Sequence, residues 1–249
     1  MELQGKRAIV VGASSGIGEA LARRLAAGGA QVALVARRAV ELEAVAASIR
    51  AAGGKAQAFV HDAARSDEVP ALFDQIAAAL GGLDILVYAA GVMHLVIEGE
   101  YSPQKDRAML EVNLLGAVAW LDPAAARFEA QRSGTLIGLS SVAGERGRRN
   151  TPGYAASKAG LTTFLESLRN RCTRYGVNVV TVKAGFVDTA MTRGRPGLFW
   201  LISADEAARR TLALAARGNS ASGFVPRRWA LVALIIRLLP SFVFRHLNF

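Results

Sequence analysis

The chain has 249 residues, 52% of them hydrophobic, and a formal net charge of +10. That length and apolar content suffice for one well-cored α/β domain, and the single cysteine, Cys172, excludes an intrachain disulfide framework and fits a reducing compartment. No nucleic-acid module motif accompanies the basic balance, so we expect no nucleic-acid partner; an anionic cofactor or an anionic membrane surface fits the charge better.

We expect no secretory signal, because MELQGKR runs at once into RAIVV (7–11), an apolar run that reads as a buried strand ended by GASSGIG. Residues 16–28 carry Ile17, Leu21 and Leu25 at helical spacing. QVALVA (31–36) is a second strand, 39–52 an alanine-rich helix closed by Gly53 and Gly54, and AQAFV (56–60) a third strand. A helix over 66–80 has Ser66 as its expected N-cap. DILVYAAG (84–91) is a fourth strand and its exit. A helix is expected over much of 103–129, with Asn113 in its middle. GTLIGLSS (134–141) is a fifth strand, 151–176 a long helix with its approach turn, and VNVVTVKAG (177–185) a sixth strand.

Residues 186–202 read as irregular, with Gly194, Pro196 and Gly197. A helix over 203–218 opens on Ser203 with Glu206 three residues on, and SGFVP (222–226) is a short last strand. Strands apolar on both faces, each followed by a helix, indicate an α/β fold: a doubly wound parallel sheet of about seven strands with helices on both faces. We expect one Rossmann-type cofactor-binding and catalytic domain over 1–228 and an apolar, basic tail over 229–249.

GASSGIG sits between a strand and a helix, the context a dinucleotide-binding loop needs. Gly12 permits a tight turn, and Gly16 and Gly18 permit close backbone approach and helix packing. The free amides at the helix start then face a pyrophosphate. The second strand ends ALVARR, where NAD binding favours an acidic residue. Arg37 and Arg38 there point to a 2′-phosphate and hence to NADP as cofactor, although both can simply begin a solvated helix. Asp62 has two readings, an acceptor for the adenine amino group or a helix cap.

Tyr154 and Lys158 lie four apart and share a helix face, and Ser141 ends a strand that can reach the same cleft. A tyrosine is a poor acid–base group with a pKa near 10, and a neighbouring ammonium lowers it. Tyr154 beside Lys158 then serves as general acid for ketone reduction, with Ser141 bonded to the carbonyl oxygen.

GASSGIG, YAAG, Asn113, Ser141, YAASK and KAGFVDT together closely resemble the short-chain dehydrogenase/reductase family over roughly residues 5–228. The resemblance implies a catalytic set of Asn113, Ser141, Tyr154 and Lys158, with the asparagine keeping a helix irregularity and a relay water. It implies cofactor contacts from Gly12, Ser14, Ser15, Gly16, Ile17, Gly18, Arg37, Arg38, Asp62, Ala89, Ala90, Gly91, Tyr154, Lys158, Gly185, Val187 and Thr189. It also implies a homodimer or homotetramer and no metal. Two positions depart from the family pattern. Tyr88 replaces an asparagine that helps pin the central strand, which questions local stability. Ala184 replaces a proline that stiffens the turn beside the nicotinamide, which implies weaker preorganisation.

The tail has an apolar run from Trp229 to Ile236 interrupted by Arg237 and Pro240, too short to span a membrane. It reads either as an interfacial helix with arginines toward anionic headgroups or as packing that closes the pocket or an interface. VKAGFVDTAMT and the basic LIIRLLPSFVFRHL end resemble a bacterial branch that includes the reductase of a polyprenyl-phosphoryl keto-pentose, implying a hydrophobic or lipid-linked carbonyl or alcohol substrate. Specificity is expected in 92–100, 142–152 and 186–200. There Phe186, Phe199 and Trp200 offer an apolar wall or plain packing, and Arg146, Arg148 and Arg149 attract a phosphate or face water. The expected location is cytoplasmic, with peripheral contact at the inner face of the plasma membrane.

Overall fold

The computed structural model describes residues 2–195 and 197–246, so Pro196 and the tail's residues 247–249 lie outside the described residues. The alternation of strand side chains builds the fold. In β1 (Arg7–Val11), Ala8 and Val10 enter one core while Ile9 and Val11 enter another on the opposite face. The same logic runs through β2 (Gln31–Ala36), β3 (Lys55–Val60), β4 (Ile85–Tyr88), β5 (Gly134–Ser141) and β6 (Val177–Ala184). Beyond β6, β7 (Val187–Asp188) and β8 (Ile202–Ser203) form a small separate ribbon inside the segment expected to be irregular. With β9 (Ser222–Val225), the main strands make a seven-stranded sheet in the order β3-β2-β1-β4-β5-β6-β9, parallel throughout.

Helices α1 (Gly16–Ala27), α2 (Ala39–Ala51) and α7 (Ala204–Ala215) fill one core. Helices α3 (Val69–Ala79), α5 (Gly116–Gln131) and α6 (Pro152–Cys172) fill the other. Strand order reverses between β1 and β4, and a doubly wound sheet opens its ligand crevice at the carboxyl ends on that line.

Ser66 does not cap α3. Residues 66–68 form a 3₁₀ turn whose N-cap position is Arg65, and no side chain caps either segment. Ser203 does cap α7, accepting from the Glu206 amide at 3.1 Å. The expected helix over 103–129 is divided into α4 (Pro103–Leu110), a π turn at Glu111–Leu115 and α5. A π turn shifts the hydrogen-bond register by one residue and is often found at functional sites.

Tyr88 makes a tie of its own at the place where loss of the family asparagine questioned local stability. Fully buried, it donates its hydroxyl to the Val112 carbonyl inside the π turn at 2.5 Å. A phenol on β4 thus reaches across to the helix that carries Asn113.

The tail forms α8 (Trp229–Leu238) and a last turn, α9 (Ser241–Phe244). Trp229, Ala233 and Ile236 are buried. Glu145, almost wholly buried, pairs with Lys183 on β6 at 2.8 Å and with Arg237 on α8. Arg146 donates to the Ile236 and Leu239 carbonyls at 2.7 and 2.5 Å and lies over the Phe244 ring, and Arg149 donates to the Arg245 carbonyl. Arg146, Arg149 and Arg237 are therefore structural ties. These contacts favour the packing reading of all three, while Arg237 keeps about half of its side chain exposed.

Candidate active site

A cleft of about 640 Å³ runs along the carboxyl ends of the strands. Ser141, Tyr154, Lys158 and every expected cofactor contact line it. Asn113 is fully buried behind the wall.

At one end, the β1–α1 loop is built from residues that leave backbone exposed. Gly12 has φ +89°, and a Cβ there would overlap the Ala90 backbone; one on Gly18 would overlap the Gly12 carbonyl. Gly16 lies under Thr189, whose methyl would stand 3.1 Å from an added Cβ. Ser15, at the N-cap of α1, makes no side-chain cap. The first amides of α1 therefore stay available to an anion, and the cradle fits a dinucleotide pyrophosphate.

The hydroxyls of Ser14 and Ser15 accept instead from Arg38, at 2.9 and 2.6 Å. This fixes one guanidinium beside the loop, with Arg37 also on the cleft. Asp62 accepts from the Ala64 amide at 3.1 Å, closing a local turn; it caps no helix, since the next helical turn begins after Arg65. It still lines the cleft, so the adenine-side reading fits its position.

At the other end, β5 and α6 bring the proton-transfer candidates together. The Ser141 hydroxyl accepts from the Ala143 amide at 3.1 Å and donates to the Ala184 carbonyl at 3.3 Å. Lys158 is buried, donates to the Leu139 carbonyl at 2.8 Å, and stands 5.8 Å from the Tyr154 ring centre. Burial lowers the Lys158 pKa to about 8. Burial also raises the Tyr154 pKa, opposed first by a hydrogen bond from Ser141 and then by the charges of Arg148 and Arg195.

Two expectations about Tyr154 change. Its pKa stands above the ordinary value rather than below, because desolvation outweighs the charges. The cations that oppose this rise are Arg148 and Arg195 rather than Lys158.

Asn113 acts as a clamp. Its Oδ1 accepts from the Val92 amide at 2.8 Å, and its Nδ2 donates to the Val92 carbonyl and to Ser157 Oγ, both at 3.0 Å. Ser157 in turn donates to the Tyr154 carbonyl at 2.8 Å. The π turn thereby holds both the loop after β4 and the helix turn that presents Tyr154.

The wall beyond Tyr154 is apolar. Phe186 lines the cleft and meets Trp229 edge-on at a centroid distance of 5.1 Å, and Phe199 stacks on Trp229 at 5.1 Å. Trp200 closes the cluster from outside, edge-on to Trp229. The Trp229 indole leaves no space for a Cβ on Gly185. The tail thus supports the turn after Ala184, where the missing proline suggested looseness. Sequence reading missed Arg195, Ser157 and the role of Trp229. Arg195 sits in a loop without periodicity, and Trp229 was read within an apolar tail.

The family model described as short chain dehydrogenase matches residues 6–196. A nodulation protein G from Rhizobium sp. (strain N33) is 37% identical over 191 residues, covering 77% of each chain. A cis-4-hydroxycyclohexanecarboxylate dehydrogenase from Sinomonas cyclohexanicum is 35% identical over 190 residues, covering 76% of each. Among solved structures, a short-chain type dehydrogenase/reductase from Mycobacterium marinum superposes with a TM-score of 0.82 at 27% identity, covering 90% of this chain and 94% of the other.

Proposed function

The chain belongs to the short-chain dehydrogenase family of nicotinamide-dependent oxidoreductases, and on that premise we propose that it reduces a ketone or aldehyde to an alcohol with NADPH, reversibly, on a hydrophobic or lipid-linked substrate. The carrying observation is the convergence of Ser141, Tyr154 and Lys158 on the cleft that begins at the glycine loop. When bound, the nicotinamide supplies a hydride to the carbonyl carbon. Tyr154 donates its hydroxyl proton to the carbonyl oxygen, and Ser141 orients that oxygen by a hydrogen bond. The raised Tyr154 pKa keeps the phenol protonated at neutral pH, which suits reduction. Lys158, buried beneath the tyrosine, binds the nicotinamide ribose, and Asn113 positions the helix turn of Tyr154 through Ser157.

Preference for NADPH is supported by Arg38, already held by Ser14 and Ser15, with Arg37 beside it and no carboxylate at the end of β2. The apolar wall of Phe186, backed by Trp229, supports a hydrophobic substrate. One relative is named for a hydroxycyclohexanecarboxylate, so ring-borne secondary alcohols belong in the assay panel. The test is turnover of a panel of ring and long-chain ketones with NADPH and with NADH. Binding of NADPH without turnover of any carbonyl would favour a nucleotide-sensing scaffold instead.

A second reading concerns location. Among the described residues no helix is long and apolar enough to cross a membrane. Leu231, Leu234, Ile235 and Leu238 share the outward side of α8 and are each more than half exposed, with Arg227 and Arg228 exposed beside them. This supports peripheral contact with anionic lipid while the opposite side of α8 packs behind the cleft wall through Trp229 and Phe186. Co-sedimentation with anionic and neutral liposomes tests it, and light scattering tests the homodimer or homotetramer that family membership suggests.

A further inference from the structure

Burying a guanidinium without a carboxylate is costly, and the substrate end of the cleft holds one. Arg148 is largely buried, lines the cleft beside Tyr154, and makes no hydrogen bond or ion pair with any described residue. Its neighbours in sequence, Arg146 and Arg149, are both engaged by the tail. Arg195 approaches Tyr154 from the opposite loop, where its side-chain partner among the described residues is the thioether of Met93 at 3.7 Å, a weak acceptor.

The charges across from them do not neutralise the pair. The single carboxylate lining the cleft, Asp62, follows β3 at the adenosine end and is turned to the Ala64 amide. Around Tyr154 the other polar residues on the cleft include Ser141, Asn150, Thr151, Lys158 and Thr192, none of them anionic. The remaining surface there comes from residues such as Met93, Val142, Phe186 and Leu198. Two guanidiniums without acid partners thus face an apolar chamber.

Resting on the carbonyl-reductase reading, we propose that the substrate carries an anionic oxygen group, a carboxylate or a phosphate, on its apolar body, and that Arg148 and Arg195 bind that group and so determine specificity. A planar guanidinium recognises either group through paired donors, and both gain strength where water is excluded. The anion also restores charge balance beside Tyr154. A neutral ketone of the same shape leaves both arginines unpaired.

The full-length protein is assayed with NADPH on matched pairs: para-acetylbenzoate against its methyl ester, and para-acetylphenyl phosphate against para-hydroxyacetophenone. We expect at least one anionic member to exceed its neutral partner by about tenfold or more in kcat/KM, the range of a charge-assisted hydrogen bond. The preferred pair identifies the source as carboxylate or phosphate. Arg148→Met and Arg195→Met should each reduce that ratio about tenfold or more, chiefly through the KM of the anionic ketone, without a matching loss of NADPH affinity. Equal or better use of the neutral partners overturns the proposal. So does a loss in NADPH affinity that accounts for the whole effect, which would assign the arginines to the cofactor.

If no carbonyl is turned over, the reductase reading fails and calorimetry decides the anion site separately. Saturable binding of benzoate or inorganic phosphate, absent for benzamide and lost in Arg148→Met, supports it; no such binding overturns it.

Discussion

Replacing Lys158 with methionine should abolish turnover and yet stabilise the protein at neutral pH. Burial brings the Lys158 pKa from its ordinary 10.5 to about 8, so charging this amine inside the fold costs about 3 kcal/mol more than in water. No carboxylate offsets that cost; the amine's described hydrogen bond is to the Leu139 carbonyl at 2.8 Å. Methionine keeps much of the apolar stem, removes the charge, and gives up a hydrogen bond worth about 1 kcal/mol. The variant should therefore be more stable by about 2 kcal/mol at pH 7, or roughly 4–8 °C in Tm for a chain of this size. Between pH 8 and 10.5 the unfolded lysine binds a proton that the folded one has released, so wild-type stability rises with pH across that window. The advantage of the variant should vanish near about pH 10 and then reverse. Urea denaturation of both proteins at pH 7 and pH 10.5, without cofactor, measures this. A variant less stable at pH 7, or a difference independent of pH, would refute the premise that Lys158 is an uncompensated buried cation.

Tyr154→Phe should keep NADPH binding and lose at least about 10²–10⁴-fold in turnover, because only the proton donor is removed; undiminished turnover in the purified variant would end the mechanism. Arg37→Ala and Arg38→Ala should each weaken NADPH by roughly tenfold or more while weakening NADH less, since a charge-assisted bond to the 2′-phosphate is lost; titration of both cofactors reads it, and equal losses would remove the NADPH assignment. With the Tyr154 pKa raised by burial, alcohol oxidation should climb as pH rises above neutrality while ketone reduction holds near neutral pH and declines in alkali; pH–rate profiles in both directions check this, and oxidation that is fastest near neutrality contradicts it. Leu234→Ser with Leu238→Ser should sharply reduce co-sedimentation with anionic liposomes without lowering Tm much, because both side chains are exposed. Unchanged lipid binding would move the membrane contact elsewhere.

The strands were legible because their side chains are apolar on both faces, and the glycine loop because its positions need missing Cβ atoms, as Gly12 and Gly18 demonstrate. The Tyr154–Lys158 spacing was equally legible, since helical periodicity places both on one face. Other features depend on contacts distant in sequence. Tyr88 looked like a loss until its hydroxyl met the Val112 carbonyl across the core. The electrostatics of Tyr154 depend on how deeply it lies and on arginines from separate loops, neither of which local pattern encodes. Arg146 and Arg149 sit in an arginine cluster that reads as one unit, yet the tail engages both and leaves Arg148 in the cleft. The tail was weighed as either lipid-facing or packed; its amphipathic helix packs one side and exposes the other.

Substrate shape and cofactor use are written in different parts of this fold. The glycine loop and the arginines after β2 belong to the first half of the sheet, whereas the far wall of the chamber rests on one surface helix docked through Trp229, Ala233 and Ile236. Exchanging α8 for a helix of different bulk can reshape the chamber while the sheet, the glycine loop and the tyrosine remain untouched. Gly185 limits such exchange: it accepts a large flat ring against its backbone and tolerates no side chain of its own. Chimeras that graft residues 229–244 should therefore inherit substrate range separately from coenzyme preference, provided the graft brings a partner for Glu145, whose buried charge would otherwise lose Arg237.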